Sequence, residues 1–288
     1  GPLYQYMAWP AMAVFGYSTL TLRASAAVLN LLALGLLFRL LSSVLGNRKI
    51  ALIAIGIFGT MPMFVIFSRF GWELTALCPL LLISALVVYE AGWKSLGRKA
   101  FLLGGLSGLL FAMLVYTHLL TICLVVALTL SMLLVYRKAF LLSRATLSAL
   151  AVFLVVLILF FFLRHANVEM ASNLRFPQRV FLRDLPNLPA VLIGILDGGL
   201  LYENFVGERS MFVLPYVSTL IAAIFALRLR LLRRRSFDRT DRFLICTVLL
   251  TLASLVFVVP HYALRYFALP LFVLIILIIR MGWDVGAS

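Results

Sequence analysis

Charged side chains are scarce in this sequence, and acidic ones are scarcer still. Of the 288 residues, 12% are charged and only 10 are Asp or Glu, against 25 Lys or Arg, while 64% are hydrophobic. An average soluble domain is about a quarter charged and about half apolar. The composition therefore excludes an ordinary soluble domain and predicts an all-α fold, a polytopic bundle of transmembrane helices.

Cysteine and histidine are also scarce, with three of each in the chain. Cys78, Cys123 and Cys246 all fall within long apolar runs, without CxxC spacing or a cluster of ligands around them. This pattern gives no disulfide framework and no metal-ligand set, so no metal site is predicted. The sequence also lacks a phosphate-cradling glycine loop and a Ser-His-Asp spacing.

Long apolar runs dominate the chain instead. A helix needs roughly 17–25 residues to cross a bilayer. Nine runs come close to or reach that length, at 22–45, 50–67, 74–91, 100–116, 119–136, 145–163, 211–227, 243–259 and 264–280. They predict a single membrane domain over 1–288, made of an external interfacial segment 1–21, six spans in 22–163, an external loop 164–210 and three spans in 211–280. Within the loop, 188–201 is too short to span and is predicted to lie in the membrane interface.

The basic residues are unevenly divided between the two sides that alternating spans create. One side holds 17 of the 25, including all four lysines, and the other holds Arg23, Arg69, Arg164, Arg175, Arg179, Arg183, Arg209 and Arg265. Because cytoplasmic loops carry the excess of Lys and Arg, the richer side is predicted to be cytoplasmic. The run 228–242 then faces anionic headgroups, so membrane lipids, and no nucleic acid, are the expected partners.

Polar groups at three predicted external turns are the first candidates for a functional site. Arg69 and Glu73 lie in the first turn, His118 in the second, and His261, Arg265 and Tyr266 in the third. Ionisable groups at the membrane face often mark function, and a guanidinium suits a phosphate, although the same cations could be interfacial anchors. With Tyr4 and Glu203 as further lining residues, they predict an external site for an amphiphilic anion, such as a lipid phosphate that carries a headgroup.

Several short motifs follow one another in a characteristic order. They are Gly1-Pro-Leu-Tyr-Gln-Tyr, Phe15-Gly-Tyr-Ser, Leu22-Arg-Ala-Ser, Leu45-Gly-Asn-Arg-Lys-Ile-Ala-Leu, Met61-Pro, Phe67-Ser-Arg69 and Arg265-Tyr-Phe-Ala-Leu-Pro270. In this order the chain resembles the GT-C membrane glycosyltransferases of family 39, the type of the protein O-mannosyltransferases and the lipid A aminoarabinose transferases. The resemblance covers nearly the whole chain and depends on the order of the motifs more than on any one of them.

This resemblance implies an inverting transfer of a sugar from a polyprenyl-phosphate donor to a protein, lipid or glycan acceptor. The reaction would occur on the external face of a prokaryotic plasma membrane, and no cofactor is expected besides the lipid-linked sugar. Arg69 and Arg265 match positions where cations would bind the donor phosphate. The family's catalytic acid is expected upstream of Gly1, which leaves Glu73 as the candidate base within this chain, and residues 1–288 alone are expected to be inactive.

Two other functions fit the same composition. A lipid-phosphate transporter or flippase would carry polar residues in the middle of several spans, and these spans are nearly free of them. A structural membrane subunit that keeps the fold without catalysis is left open by the missing acid. The sequence upstream of Gly1 discriminates between the readings, because a further span followed by an acidic external loop favours the enzyme.

Overall fold

The computed structural model of the protein describes residues 2–60, 73–165, 237–258 and 268–286. Helix is the regular structure throughout these ranges, and none of them contains a strand. The all-α class is therefore confirmed for this part of the chain. Its helices are α1 (Pro2–Phe15), α2 (Thr19–Leu45), α3 (Arg48–Thr60), α4 (Glu73–Trp93), α5 (Gly97–Thr117), α6 (Thr121–Tyr136), α7 (Lys138–Leu141), α8 (Arg144–His165), α9 (Arg239–Val258) and α10 (Ala268–Gly286).

Three of the described helices are long and apolar enough to cross a membrane, namely α2, the Thr75–Trp93 part of α4, and α5. Thr121–Tyr136 and Arg144–Phe160 are apolar but shorter. The predicted runs 22–45, 74–91 and 100–116 each lie inside one of the three long helices. The run 211–227 lies outside the described residues, so the number of nine spans stays a prediction.

The predicted interfacial segment 1–21 contains a helix, α1, with Pro10 inside it. The chain turns after this helix at Gly16, whose φ of 82° lies in the left-handed region that glycine adopts without strain. Ser18 then caps α2, because its hydroxyl oxygen accepts a hydrogen bond from the Thr21 amide at 3.1 Å. A capped break between two helices is thus built into the first twenty residues.

The chain divides into two compact units. The first unit includes α1, α2, α4, α5, α7 and α8, and the second includes α3, α9, α10 and residues 126–135 of α6. Within the first unit, the connection between α4 and α5 comprises residues 94–96 alone. This connection is shorter than the stretch 92–99 that separates the two predicted runs, and it leaves no room for a folded loop between the two helices.

Within the first unit, α4 and α5 form an antiparallel hairpin. The Ser107 hydroxyl on α5 donates to the Ala85 carbonyl on α4 at 2.9 Å. Further along α4, Gly92 lies against Gly104, so positions advance on one helix as they decrease on the other. The hydrogen bond satisfies a hydroxyl that is fully buried, which a membrane-spanning helix pair requires of its polar groups.

On its other contact face α5 runs parallel to α8. Gly104 lies against Ala145, and Gly108 lies against Ala149, four residues further along both helices. A Cβ placed on Gly104 would lie 2.7 Å from the Ala145 Cα, and one on Gly108 would lie 2.9 Å from the Ala149 Cα. Only glycine allows the two backbones to approach this closely, as in other small-residue contacts between membrane helices.

The helices α2 and α4 also run parallel, since both end at one polar contact. The Ser43 hydroxyl of α2 donates to Glu90 Oε1 of α4 at 2.6 Å, and Lys94 Nζ donates to Ser43 Oγ at 2.7 Å. Lys94 also forms an ion pair with Glu90. If the predicted spans alternate in direction, the runs 22–45 and 74–91 must point the same way. The runs 100–116 and 145–163 must also share a direction. The packing of the first unit agrees with that requirement.

In the second unit α9 and α10 pack together, with the start of α9 beside the end of α10. Asp238 and Asp241 cap α9 reciprocally: the Asp241 amide donates to Asp238 Oδ1 at 2.8 Å, and the Asp238 amide donates to Asp241 Oδ2 at 3.1 Å. Arg280 of α10 donates through Nε to Asp241 Oδ1 at 2.8 Å and pairs with Asp238 through its second nitrogen. One arginine therefore joins the two helices through both capping carboxylates.

Candidate functional site

The packing directions give the first unit two chemically different ends. At the basic end α2 and α4 finish, α5 and α8 begin, and Tyr136 closes α6. Seven exposed cations belong to this end, namely Arg39, Lys94, Arg98, Lys99, Arg137, Lys138 and Arg144. Among the described residues of the unit, only Arg23 and Arg164 lie toward the other end. The loops that the charge count placed on one side of the membrane thus come together on one end of this unit.

The opposite end is the place where α2 and α4 begin and where α5 and α8 finish. The Tyr116 ring of α5 packs edge-on against the Phe160 ring of α8, with their centroids 4.4 Å apart. At the start of α2, the hydroxyl of Tyr4 in α1 donates to the Leu22 carbonyl at 2.9 Å. These contacts place α1 and the turn after α5 at the same end of the unit.

One face of α1 is buried and anchors this helix. Tyr4, Ala8 and Met12, spaced four residues apart, are all at most 9% exposed, and spacing by four places them on one stripe of a helix. Burial raises the pKa of Tyr4 above its ordinary value, in keeping with a phenol that donates a hydrogen bond. Its hydroxyl donates to the Leu22 carbonyl and holds α1 to the start of α2; its place in the lining of the site stays a prediction.

The other face of α1 exposes large aromatic side chains. Tyr6 is 74% exposed, Trp9 66% and Phe15 77%, and Tyr17 in the following turn is 81% exposed. The segment 1–22 carries no charged residue. Amphipathic aromatics of this kind are enriched at the level of lipid headgroups, which supports the prediction that residues 1–21 lie at the membrane interface.

His118 occupies the turn between α5 and α6, and backbone hydrogen bonds fix that turn. The His118 amide donates to the Leu114 carbonyl at 3.1 Å, and its own carbonyl accepts from the Thr121 amide at 2.9 Å and hydroxyl at 2.8 Å. Its side chain is partly buried. An imidazole can donate a hydrogen bond to a phosphate, and it can donate to or accept from a sugar hydroxyl. The His118 side chain therefore gives the opposite end a group that can bind either.

The structure brings three of the predicted site residues to the same end of the first unit. Tyr4 and His118 lie there, and Glu73 begins α4 there, although its side chain is not among those described. The remaining predicted site residues lie outside the described residues, namely Arg69, Glu203, His261, Arg265 and Tyr266. Their placement around the site stays a prediction.

The described residues contain no group of three His, Cys, Asp or Glu side chains that could hold a metal ion. Cys78 and Cys123 are buried, and Cys246 is partly buried. These cysteines pack as small apolar side chains in their helices.

Two polar contacts in the structure involve residues that the sequence reasoning did not pair. Arg280 was counted only as a basic residue, without Asp238 and Asp241 as partners. The signal was present, because two acids three residues apart directly before an apolar run are typical of a helix cap. Glu90 and Lys94, four residues apart on one helix, form a second pair that the spacing alone could have indicated.

No family model, curated protein or solved structure matches this chain. The functional interpretation therefore depends on the residues themselves and on the order of the motifs. The two ends of the first unit provide the geometry on which that interpretation is built.

The sidedness of the two ends can be tested with single cysteines in a variant without the native three. We expect Lys99→Cys at the basic end to resist a membrane-impermeant thiol reagent applied from outside, because basic loops are cytoplasmic. Tyr17→Cys, at an exposed position of the opposite end, and Asp184→Cys, in the predicted external loop, should react. The reagent is applied to intact cells, and labelling is measured as the mass shift of the protein. External reaction at position 99 together with protection at 17 would reverse the topology.

Proposed function

We propose that this protein is a membrane glycosyltransferase of the GT-C type, with about nine spans. It moves a sugar from a polyprenyl-phosphate donor to a protein, lipid or glycan acceptor on the extracytoplasmic face of a prokaryotic plasma membrane. The order of motifs from Gly1 to Pro270 supports the reaction class. The observation that carries the proposal is the gathering of His118, α1 and the start of α4 at the end of the first unit that lies away from the lysines.

The proposed chemistry is an inverting displacement at the anomeric carbon. The acceptor hydroxyl attacks this carbon, the bond between the carbon and the phosphate oxygen breaks, and the polyprenyl phosphate leaves with the electron pair. A carboxylate takes the hydroxyl proton, a role worth about 10²–10⁴-fold in rate. Within the described residues of the first unit, Glu73 is the acid at the opposite end, and it is the candidate for this base in the chain.

Cations are needed where the leaving phosphate gathers negative charge. We assign this role to Arg69, four residues before Glu73 in sequence, and to Arg265. Their guanidinium groups offer paired donors that fit two phosphate oxygens. His118, Tyr266 and His261 would complete the lining of the site near the headgroup.

The phosphate role of the two arginines can be tested in the natural full-length protein. Arg69→Ala and Arg265→Ala should each remove charge-assisted hydrogen bonds worth about 1.5–3 kcal/mol, so transfer should fall tenfold or more. Lysine at either position should restore only part of the loss, because it lacks the bidentate fork. The measurement is transfer of labelled sugar from polyprenyl phosphate in membranes with matched protein levels.

Arg48→Ala provides the matched control, since Arg48 is an exposed arginine at the start of α3 and should leave transfer unchanged. Normal turnover in both Arg69→Ala and Arg265→Ala would show that these residues are interfacial anchors. Movement of the intact donor across the membrane without transfer would instead favour a flippase.

A further inference from the structure

We propose that the basic end of the first unit is a binding surface for anionic phospholipids of the adjacent leaflet. The surface consists of Arg39, Lys94, Arg98, Lys99, Arg137, Lys138 and Arg144, together with the side chains that hold these cations in place. It lies at the end away from the proposed transfer site, and the inference does not depend on the proposed reaction.

The charge at this end is almost entirely uncompensated by the described residues. All seven cations are exposed, and they come from α2 and from the connections around α5 and α8. Apart from Glu73 at the opposite end, Glu90 is the acidic residue in the described part of the unit, and it already pairs with Lys94. Within the described part of the unit, most of this charge is therefore open to anions from outside the protein.

Aromatic packing brings the two basic connections together. The Trp93 ring lies 5.8 Å from the Tyr136 ring and 6.5 Å from the Phe140 ring, measured between centroids. Lys94 follows Trp93 directly, and Arg137 and Lys138 lie between Tyr136 and Phe140. The cations of one connection are thus fixed next to those of the other through a shared cluster of rings.

Two further contacts bring α8 and α2 to the same cluster. The Tyr89 hydroxyl, one turn before Trp93, forms a hydrogen bond of 2.6 Å with the Thr146 hydroxyl, two residues after Arg144. The Lys94 ammonium donates to Ser43 near the end of α2 at 2.7 Å. The basic surface is therefore held by side chains from five helices, α2, α4, α6, α7 and α8, and does not depend on the conformation of a single loop.

Apolar side chains exposed beside the cations favour a lipid over free phosphate. Leu96 is 90% exposed, Leu141 48% and Leu142 77%, and all three lie in the same two connections. Leucines in contact with the upper acyl chains and cations in contact with the phosphate would match both parts of an amphiphile. Trp93 and Tyr136 are amphipathic aromatics of the kind found at this depth.

The test uses Trp93 as a reporter within the surface. The full chain, with Trp9, Trp72 and Trp283 replaced by Phe, is reconstituted in nanodiscs. Phosphatidylglycerol or phosphatidylcholine carrying brominated acyl chains is then mixed in at increasing fractions. We expect half-maximal quenching of Trp93 fluorescence at about a tenfold lower fraction of brominated phosphatidylglycerol, since each nearby basic residue contributes about fivefold to binding of anionic lipid.

The variant Arg98→Gln/Lys99→Gln/Arg144→Gln should bring the two lipids to within about twofold of each other, because three of the seven cations of the surface are lost. Arg23→Gln changes an exposed arginine at the opposite end and should keep the full preference for phosphatidylglycerol.

If the triple variant does not fold, the salt dependence of the parent chain provides the test. Raising the salt from ~0.1 M to ~1 M should weaken its preference for phosphatidylglycerol by screening. Equal quenching by both lipids in the parent chain would overturn the proposal, and so would a preference for phosphatidylglycerol that survives in the folded triple variant. Displacement of the lipid by ~10 mM inorganic phosphate would also overturn it, because the surface would then bind phosphate through charge alone.

Discussion

Replacing Gly104 by leucine is expected to destroy the packing of α5 against α8. A Cβ at this position would lie 2.7 Å from the Ala145 Cα and 2.8 Å from its carbonyl carbon, and these backbone atoms cannot turn aside as a flexible side chain can. The helices must separate, and the contacts along the whole seam weaken with them. We expect a loss of at least about 3 kcal/mol, the upper part of the range for an overpacked core.

The measurement is thermal unfolding of the purified chain in detergent, followed by helical circular dichroism. Gly35→Leu serves as the control, because a Cβ on this glycine of α2 meets nothing within 4 Å. Gly104→Ala should fall between the two, since it adds the clashing Cβ without the larger side chain. Equal melting temperatures for Gly104→Leu and Gly35→Leu would mean that the close seam is not present in the folded protein.

The second large effect is expected at Arg280. Arg280→Met should destabilise the second unit by up to about 3–5 kcal/mol, the cost of removing one member of a buried ion pair. The side chain of Asp241 is 0% exposed and that of Arg280 is 12% exposed, so little water can replace the lost donors. Arg242→Met is the matched control, because Arg242 is exposed on the same turn of α9 and should change stability little.

A compensating change separates lost charge pairing from lost packing. Asp241→Asn removes the buried charge but keeps an oxygen that can accept the Asp238 amide. In the Arg280→Met background it should therefore restore more than half of the lost stability, measured by chemical unfolding of all four members of the cycle. No recovery in the double variant would show that Arg280 acts through packing alone.

The sequence predicted the helices of this fold well where long apolar runs end at clear signals. The run 22–45 became α2, which Ser18 caps at its start and Gly46, with φ of 65°, ends. The run 100–116 became α5, and the turn at His118 lies where the run ended. A hydrophobic run specifies these elements because a spanning helix must satisfy its backbone internally.

Lateral packing was beyond the reach of the sequence. Gly104 and Gly108 are four residues apart, a spacing that favours a close helix contact, but it does not name the partner helix. Whether the partner is α4, α6 or α8 depends on how each helix is rotated about its axis. For the same reason the sequence does not predict the ion pair between Arg280 and Asp241, since 39 positions separate the two residues.

The candidate site was only partly accessible for a related reason. The uneven distribution of cations assigns each turn to a side of the membrane, and the structure gathers Tyr4, His118 and the start of α4 at one end accordingly. Which side chains turn inward depends on local geometry that no pattern encodes. Tyr4 illustrates this, because no pattern in the sequence predicts that its phenol donates to the Leu22 carbonyl. Arg69 and Arg265 keep their proposed roles as predictions.

The parallel seam between α5 and α8 has a consequence for biosynthesis. Gly104 leaves the ribosome ~40 residues before Ala145, and at roughly 5–20 residues per second this interval lasts roughly 2–8 s. During that time α8 has not yet been synthesised, so the glycine face of α5 that will contact it is exposed to the translocon or to lipids while α6 is inserted.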